Sequence, residues 1–159
     1  MHKHHKESIK NLIEEFKNDK KVLALILGGS IAHGFGKPDS DIDVSIIIDN
    51  EEYQRLKKKN KLHYNNKEIC TYENGYIDGK YATLDFLKSV ALKGNDSTRY
   101  AFKDNIILFS RIDDLDKILS EIVKYPVNKK KERIHRFATQ FMIDTELKRL
   151  TGELYIDDL

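Results

Sequence analysis

Apolar residues recur along this chain at two spacings, and the spacing separates helices from strands. Ile9, Leu12, Ile13 and Phe16 follow i, i+3, i+4, i+7 with Lys and Glu on the opposite side, which predicts an amphipathic helix over about residues 5–18. Val22-Leu23-Ala24-Leu25-Ile26-Leu27 is too short and too uniformly apolar for a surface helix and ends at a glycine pair, so it reads as a central strand. A short helix follows over residues 30–35 with Ser30 as its N-cap, then a turn shaped by Gly36 and Pro38. Residues 41–48 form a second strand, and Asp49 or Asn50 caps a helix to about residue 59 whose basic C-terminal end suits the helix dipole. Asn74-Gly75 between the runs 67–73 and 76–83 predicts a β-hairpin. Leu84 opens a helix closed by Gly94, Asp96 or Ser97 caps a shorter one to about Asp104, and residues 106–109 are a last strand. Leu115, Ile118, Leu119, Ile122 and Val123 mark a further amphipathic helix stopped by Pro126. Asn128 opens a long polar helix to about Leu150 with a thin apolar stripe (Ile134, Phe137, Phe141, Met142, Leu150), and residues 151–159 carry no assignment. The order α-β-α-β-α-ββ-α-α-β followed by two helices is α+β: a mixed, mostly antiparallel sheet with flanking helices.

Composition narrows this picture without changing it. With 159 residues, 40% hydrophobic and 34% charged, the chain can bury a real core under a charged surface. No apolar run is long enough to span a bilayer and residues 1–6 lack an apolar core, so neither a membrane partner nor a signal peptide is expected and the expected location is cytoplasmic. Cys70 is the one cysteine and is read as a packed thiol. Against 28 basic residues stand 26 acidic ones, so no general attraction to nucleic acid is implied. The lysine runs 57–59 and 129–131 read as solvated faces, and His2, His4 and His5 as a frayed terminus rather than a metal site.

The chemistry concentrates in Gly28-Gly29-Ser30 and, ten residues on, Asp41-Ile42-Asp43-Val44. On a strand Asp41 and Asp43 point the same way, roughly 6.5–7 Å apart along the chain. Two carboxylates on one face repel, and a divalent cation between them relieves the repulsion; oxygen-only ligands suit Mg²⁺. Gly28 and Gly29 let a phosphate chain approach the backbone, and Ser30 offers a hydroxyl and an N–H. The plainer readings are a strand-to-helix turn and two solvent-facing acids, and each half of the motif alone would fit them.

Together, at this spacing and each at a strand end, the two halves resemble the signature of the DNA polymerase β-like nucleotidyltransferase superfamily, and within it the small enzymes that adenylylate antibiotics or proteins. The resemblance covers roughly residues 1–110. It implies a nucleotidyltransferase catalytic domain over 1–110, with residues 111–159 as a short helical extension. It also implies two Mg²⁺ ions, ATP or another nucleoside triphosphate as substrate, and transfer of a nucleoside monophosphate, AMP foremost, to a hydroxyl on a small molecule or protein. Asp41 and Asp43 become metal ligands. The superfamily's third carboxylate falls on Asp78, inside a strand, or on Asp85, at a helix start where a dipole-complementing role explains it equally; Asp78 is favoured, as metal ligand and general base. His33 and Arg99 stand where relatives carry basic residues, and Arg99 could clamp phosphate oxygens bidentately. Lys103, one turn after Arg99, reads as surface.

Two further readings stand beside the enzyme: an antitoxin-type minimal nucleotidyltransferase acting on a toxin-like partner chain, and an inactive nucleotide-binding relative. A homo-oligomer is compatible with all three; a nucleic-acid partner is not expected.

Overall fold

The computed structural model describes residues 1–124 and 130–151. The expected stop at Pro126, the helix start at Asn128 and residues 152–159 lie outside the described residues. The chain divides into two compact units, Met1–Val123 and Lys124–Leu159.

In the first unit, α1 (Lys3–Phe16) leads into β1 (Val22–Leu27), the single turn α2 (Gly29–Ala32), β2 (Ile42–Ile48) and α3 (Asn50–Lys58). Then come β3 (His63–Asn66), β4 (Ile77–Ala82), α4 (Leu84–Lys93), α5 (Asp96–Ala101), β5 (Ile106–Ser110) and α6 (Leu115–Val123). The five strands make one sheet in the order β3-β4-β2-β1-β5. Every neighbouring pair is antiparallel except β2 with β4, so the α+β mixed sheet expected from the pattern is the one observed.

Alternation along the strands distributes two cores. Leu25 and Leu27 of β1 and Ile42, Val44, Ile46 and Ile48 of β2 face α1, which buries Ile9, Leu12 and Phe16 against them. Ala24 and Ile26 of β1 and Ile47 of β2 face the other way, onto Leu87 and Val90 of α4 and Leu119 and Ile122 of α6. These helices cover the sheet over Ala24, Ile26 and Ile47. Farther along the same side, where β1 ends and β2 begins, Asp43 and Ser45 are only half-buried. The site forms at that uncovered end.

Asn74-Gly75 does not join a tight hairpin. The antiparallel partner of β4 is β3, at residues 63–66, and residues 67–76 form a long connection. The connection is held by α1 instead of a strand ladder. Asn11 Nδ2 donates to the Ile69 carbonyl (3.0 Å), Thr71 N donates to Ser8 Oγ (3.0 Å), and the Tyr72 ring lies 4.6 Å from that of His4. Asn74 still adopts the left-handed φ of 58° that a turn Asn favours. The N-terminal histidines are likewise built in: His4 Nε2 meets the Pro38 carbonyl at 2.8 Å, and His5 is fully buried. Cys70 is a half-buried free thiol, and burial raises its pKa.

In the second unit α7 runs over Lys130–Thr151. Its apolar side chains do not form one stripe. At 3.6 residues per turn, Ile134, Phe137 and Phe141 lie roughly 150° around the helix from Ile143, Leu147 and Leu150. All six are exposed, between 54% and 71%.

Candidate active site

Asp43 and Asp78 come from adjacent parallel strands and stand directly opposite each other in the β2–β4 register. Their neighbours Ile42 and Ile77 point into the core with no exposed surface, so the carboxylates must point to the open side. Asp41 stands one step ahead of β2 on the same side. One oxygen from each of Asp41, Asp43 and Asp78 lies within 4.8 Å of the others, and all three residues are half-buried. The crowding has an electrostatic signature: the Asp43 carboxyl titrates above its ordinary range, first because of burial and then because of Asp41 and Asp78, while Lys80 opposes the rise. Tyr76 donates its phenolic O–H to Asp41 Oδ2 at 3.0 Å.

The glycine pair is shaped around Asp43. Gly28 N donates to the Asp43 carbonyl at 2.9 Å. Gly29 adopts a φ of +63°, and a Cβ there would sit 1.8 Å from Asp43 Oδ2. Both the backbone conformation and the carboxylate's approach therefore require glycine. Ser30 is not the N-cap expected of it. Gly28 holds that position, extended, with no side-chain cap, because the left-handed Gly29 already begins the turn. The helix is a single turn, Gly29–Ala32, shorter than the run 30–35.

A cleft of about 300 Å³ opens beside these groups, lined by Gly28, Gly29, His33, Asp43, Asp78 and Lys80, with Ser45, Tyr100 and Asn105 completing its wall. The His33 side chain is 8% exposed, and its Nδ1 lies 3.2 Å from Asp104 Oδ2. The ring stacks with Tyr100 at 5.2 Å and with Phe35 at 5.4 Å.

Two of the sequence candidates are placed elsewhere. Arg99 is 7% exposed and does not line the cleft. Its guanidinium donates to carbonyls at the ends of two helices: Ala91 (2.9 Å) in the last turn of α4, Gly94 (2.9 Å) at its C-cap, and Ile122 (2.6 Å) in α6. Helix C-termini leave carbonyls without intrahelical partners, and a buried cation satisfies them. Asp85, the alternative third carboxylate, sits in the first turn of α4 and accepts from Asn50 Nδ2 at 3.0 Å, apart from the acidic cluster. Lys103 lies over the Tyr100 ring, 5.9 Å from its centre.

Lys80, Ser45 and Tyr76 were missed in the sequence, and a signal for them existed. Extending the alternation by two residues places Asp43 with Ser45 on one strand, and Asp78 with Lys80 on the next. Tyr76, two residues ahead of Asp78, has the same parity. Tyr100 carried no such signal, because a six-residue helix set by Asn95 as N-cap decides where it points.

The nucleotidyltransferase domain model matches residues 9–149 of the chain. Comparison with curated proteins returned no match. Among solved structures, a chain from the crystal structure of a toxin–antitoxin with AMP-PNP aligns at a TM-score of 0.35 and 16% identity, covering 87% of this chain and 98% of that one. A chain from a mutant of the toxin–antitoxin MntA-HpeT aligns at a TM-score of 0.38 and 16% identity, with the same coverage of 87% and 98%.

Proposed function

The chain belongs to the nucleotidyltransferase domain family, and from that premise we propose that it moves a nucleoside monophosphate, AMP from ATP foremost, onto the hydroxyl of an acceptor, using divalent cations held by Asp41, Asp43 and Asp78. The observation that carries this reading is the meeting of three carboxylates, Asp43 and Asp78 from adjacent strands and Asp41 from just ahead of β2, beside a cleft lined by Gly28 and Gly29. The donor set fits the ion: three hard carboxylate groups, half-buried and mutually repelling, with no sulfur or imidazole among them. Held by Asp41, Asp43 and Asp78, Mg²⁺ would supply the positive charge that favours triphosphate binding, loss of the acceptor hydroxyl's proton and departure of pyrophosphate.

The chain's own residues set the rest. The acceptor oxygen forms a bond to the α-phosphorus, the bond to the bridging oxygen on the far side breaks, and pyrophosphate leaves. The hydroxyl proton passes to a carboxylate, for which Asp78 is our choice because its strand fixes it facing Asp43 across the cleft edge. Gly28 and Gly29, which line the cleft, leave the backbone open to the triphosphate, and Ser30 follows them in the same turn. Lys80 brings a cation to the cleft and takes the phosphate-contacting role that Arg99, engaged with helix ends, does not fill. His33, anchored by Asp104, contributes to the same wall.

The test uses ATP labelled at the α- or the γ-phosphate, with Mg²⁺ and a panel of small-molecule and protein acceptors. Label from the α-position should appear on an acceptor, detected by mass spectrometry as the gain of one AMP, and γ-label should leave in pyrophosphate. Parallel reactions with GTP, CTP and UTP fix the base preference. A second reading has the acceptor as a protein chain, a toxin-like partner among them. It is favoured by the exposed apolar residues of α7 on two sides, which a bound chain would cover. In that case the mass gain falls on the partner and on none of the small molecules.

A further inference from the structure

Of the three carboxylates, two are held by strand register and one is not. Asp43 and Asp78 lie within β2 and β4. Asp41 stands outside the strand, between the turn closed by Ser40 N on the Lys37 carbonyl and the start of β2, and its neighbours' negative charge pushes its side chain away from them. Something must hold it in place before a cation arrives.

Two tyrosines from the 67–76 connection reach this turn, and they do different work. Tyr72 donates its O–H to the Ser40 main-chain carbonyl at 2.7 Å and reaches no carboxylate among the described residues. Its ring packs with the core layer beneath α1 and lies 5.0 Å from that of His5. Tyr76 contributes to neither core layer. Its carbonyl accepts from Ile42 N at 3.0 Å, so its backbone abuts the start of β2, and its O–H reaches Asp41 Oδ2 at 3.0 Å. A phenol that packs little and donates to one carboxylate oxygen is placed to orient that carboxylate. Engaging one oxygen, it restrains the rotamer of a side chain that has an oxygen within 4.8 Å of Asp43 and Asp78. A hydrogen bond to a charged acceptor is about twice as strong as a neutral one and offsets part of the repulsion.

We propose that Tyr76 is a positioning residue for the cation site, holding Asp41 through its phenolic O–H so that the third ligand is in place before nucleotide binds. The proposal rests on the reading of Asp41 as a metal ligand. It belongs with outer-sphere partners of ligating carboxylates, whose loss typically weakens metal binding about 10–100-fold.

The experiment measures Mn²⁺ affinity by electron paramagnetic resonance of the free ion, without nucleotide, in the full chain. Tyr76→Phe removes one oxygen from a side chain outside both core layers, and should weaken Mn²⁺ binding about tenfold. Tyr72→Phe removes a phenol from the same connection that touches no carboxylate, and should leave affinity within about twofold. Asp41→Asn should weaken binding at least as much as Tyr76→Phe, and adding Tyr76→Phe to it should produce no further loss, because the phenol acts through Asp41. With ATP present, the Tyr76→Phe defect in kcat should recover as Mg²⁺ is raised while the KM for ATP stays constant. If Asp41→Asn weakens Mn²⁺ binding and Tyr76→Phe does not, or if Tyr72→Phe weakens it equally, the positioning role is overturned. If Asp41→Asn itself binds Mn²⁺ like the unaltered protein, the metal reading underneath fails instead.

Discussion

The strand side and the helix side of the first unit handle charge in opposite ways. On the strand side, Asp41, Asp43 and Asp78 crowd together, and burial, followed by the charges of Asp41 and Asp78, raises the Asp43 carboxyl above its usual range. On the helix side, away from the cleft lining, the buried Arg99 guanidinium is matched by helix-end carbonyls. Charge satisfied within the chain stabilises the fold. Charge left crowded and facing a cleft costs stability and is useful only to a ligand of opposite sign. Gly29 makes the same point in the backbone, since it exists in its left-handed conformation with the Asp43 carboxylate against it.

Substitutions on the two sides should therefore fail differently. The largest effect is expected for Asp43→Asn, which should lower pyrophosphate release by about a thousandfold or more, as loss of a group that directs transition-state charge does. Its thermal melt in the metal-free state should equal or exceed that of the unaltered protein, because one of three repelling charges is gone. Gly29→Ala should cost both, since the methyl group collides with Asp43 Oδ2 and the φ is strained; activity and melting temperature should fall together. Arg99→Leu should act on the fold first, destabilising by about 3 kcal/mol in urea titration as buried carbonyls lose their donor. At temperatures where it stays folded it should retain Mn²⁺ affinity. A fall in Mn²⁺ affinity without loss of stability in Arg99→Leu would erase the contrast between the two sides.

A smaller effect is expected at the N-terminal helix. His5 is buried, and neither ring nitrogen has a hydrogen-bond partner among the described residues. Burial, followed by His4 and His2, lowers its pKa below 6.5. The unfolded chain therefore binds this proton more readily than the folded one, so stability is fully present above the unfolded value near 6.5 and declines as pH falls through it toward the depressed folded value. His5→Phe should flatten that decline in thermal melts recorded between pH 7 and about 5. The unaltered slope in the variant would assign it to other groups.

Much of this was legible in the chain. The element order followed from periodicity, because β1 and β2 are apolar enough to be central and α1 and α6 amphipathic enough to flank them. Asp78 was separable from Asp85 by the rule that an acid at a helix start already has an explanation; Asp78 stands with Asp41 and Asp43, and Asp85 sits in the first turn of α4, bonded to Asn50. What was not legible depended on long-range contacts. The Asn74-Gly75 turn looked like a hairpin because nothing local shows that Ser8 and Asn11, more than fifty residues earlier, hold residues 69–71 off the sheet. Arg99 looked like a phosphate ligand because a sequence does not show that two helix ends converge on it. Ser30 looked like a cap because the left-handed backbone at Gly29 is set by Asp43, which lies fourteen residues on.

The most direct test of the account follows label from α-³²P ATP and γ-³²P ATP in paired reactions with Mg²⁺, using the unaltered protein and Asp43→Asn. The account predicts that α-label reaches an acceptor, that γ-label is released only as pyrophosphate, that chelation by EDTA stops both, and that Asp43→Asn does neither. Transfer of γ-label to an acceptor, or α-label transfer that survives Asp43→Asn, would contradict it.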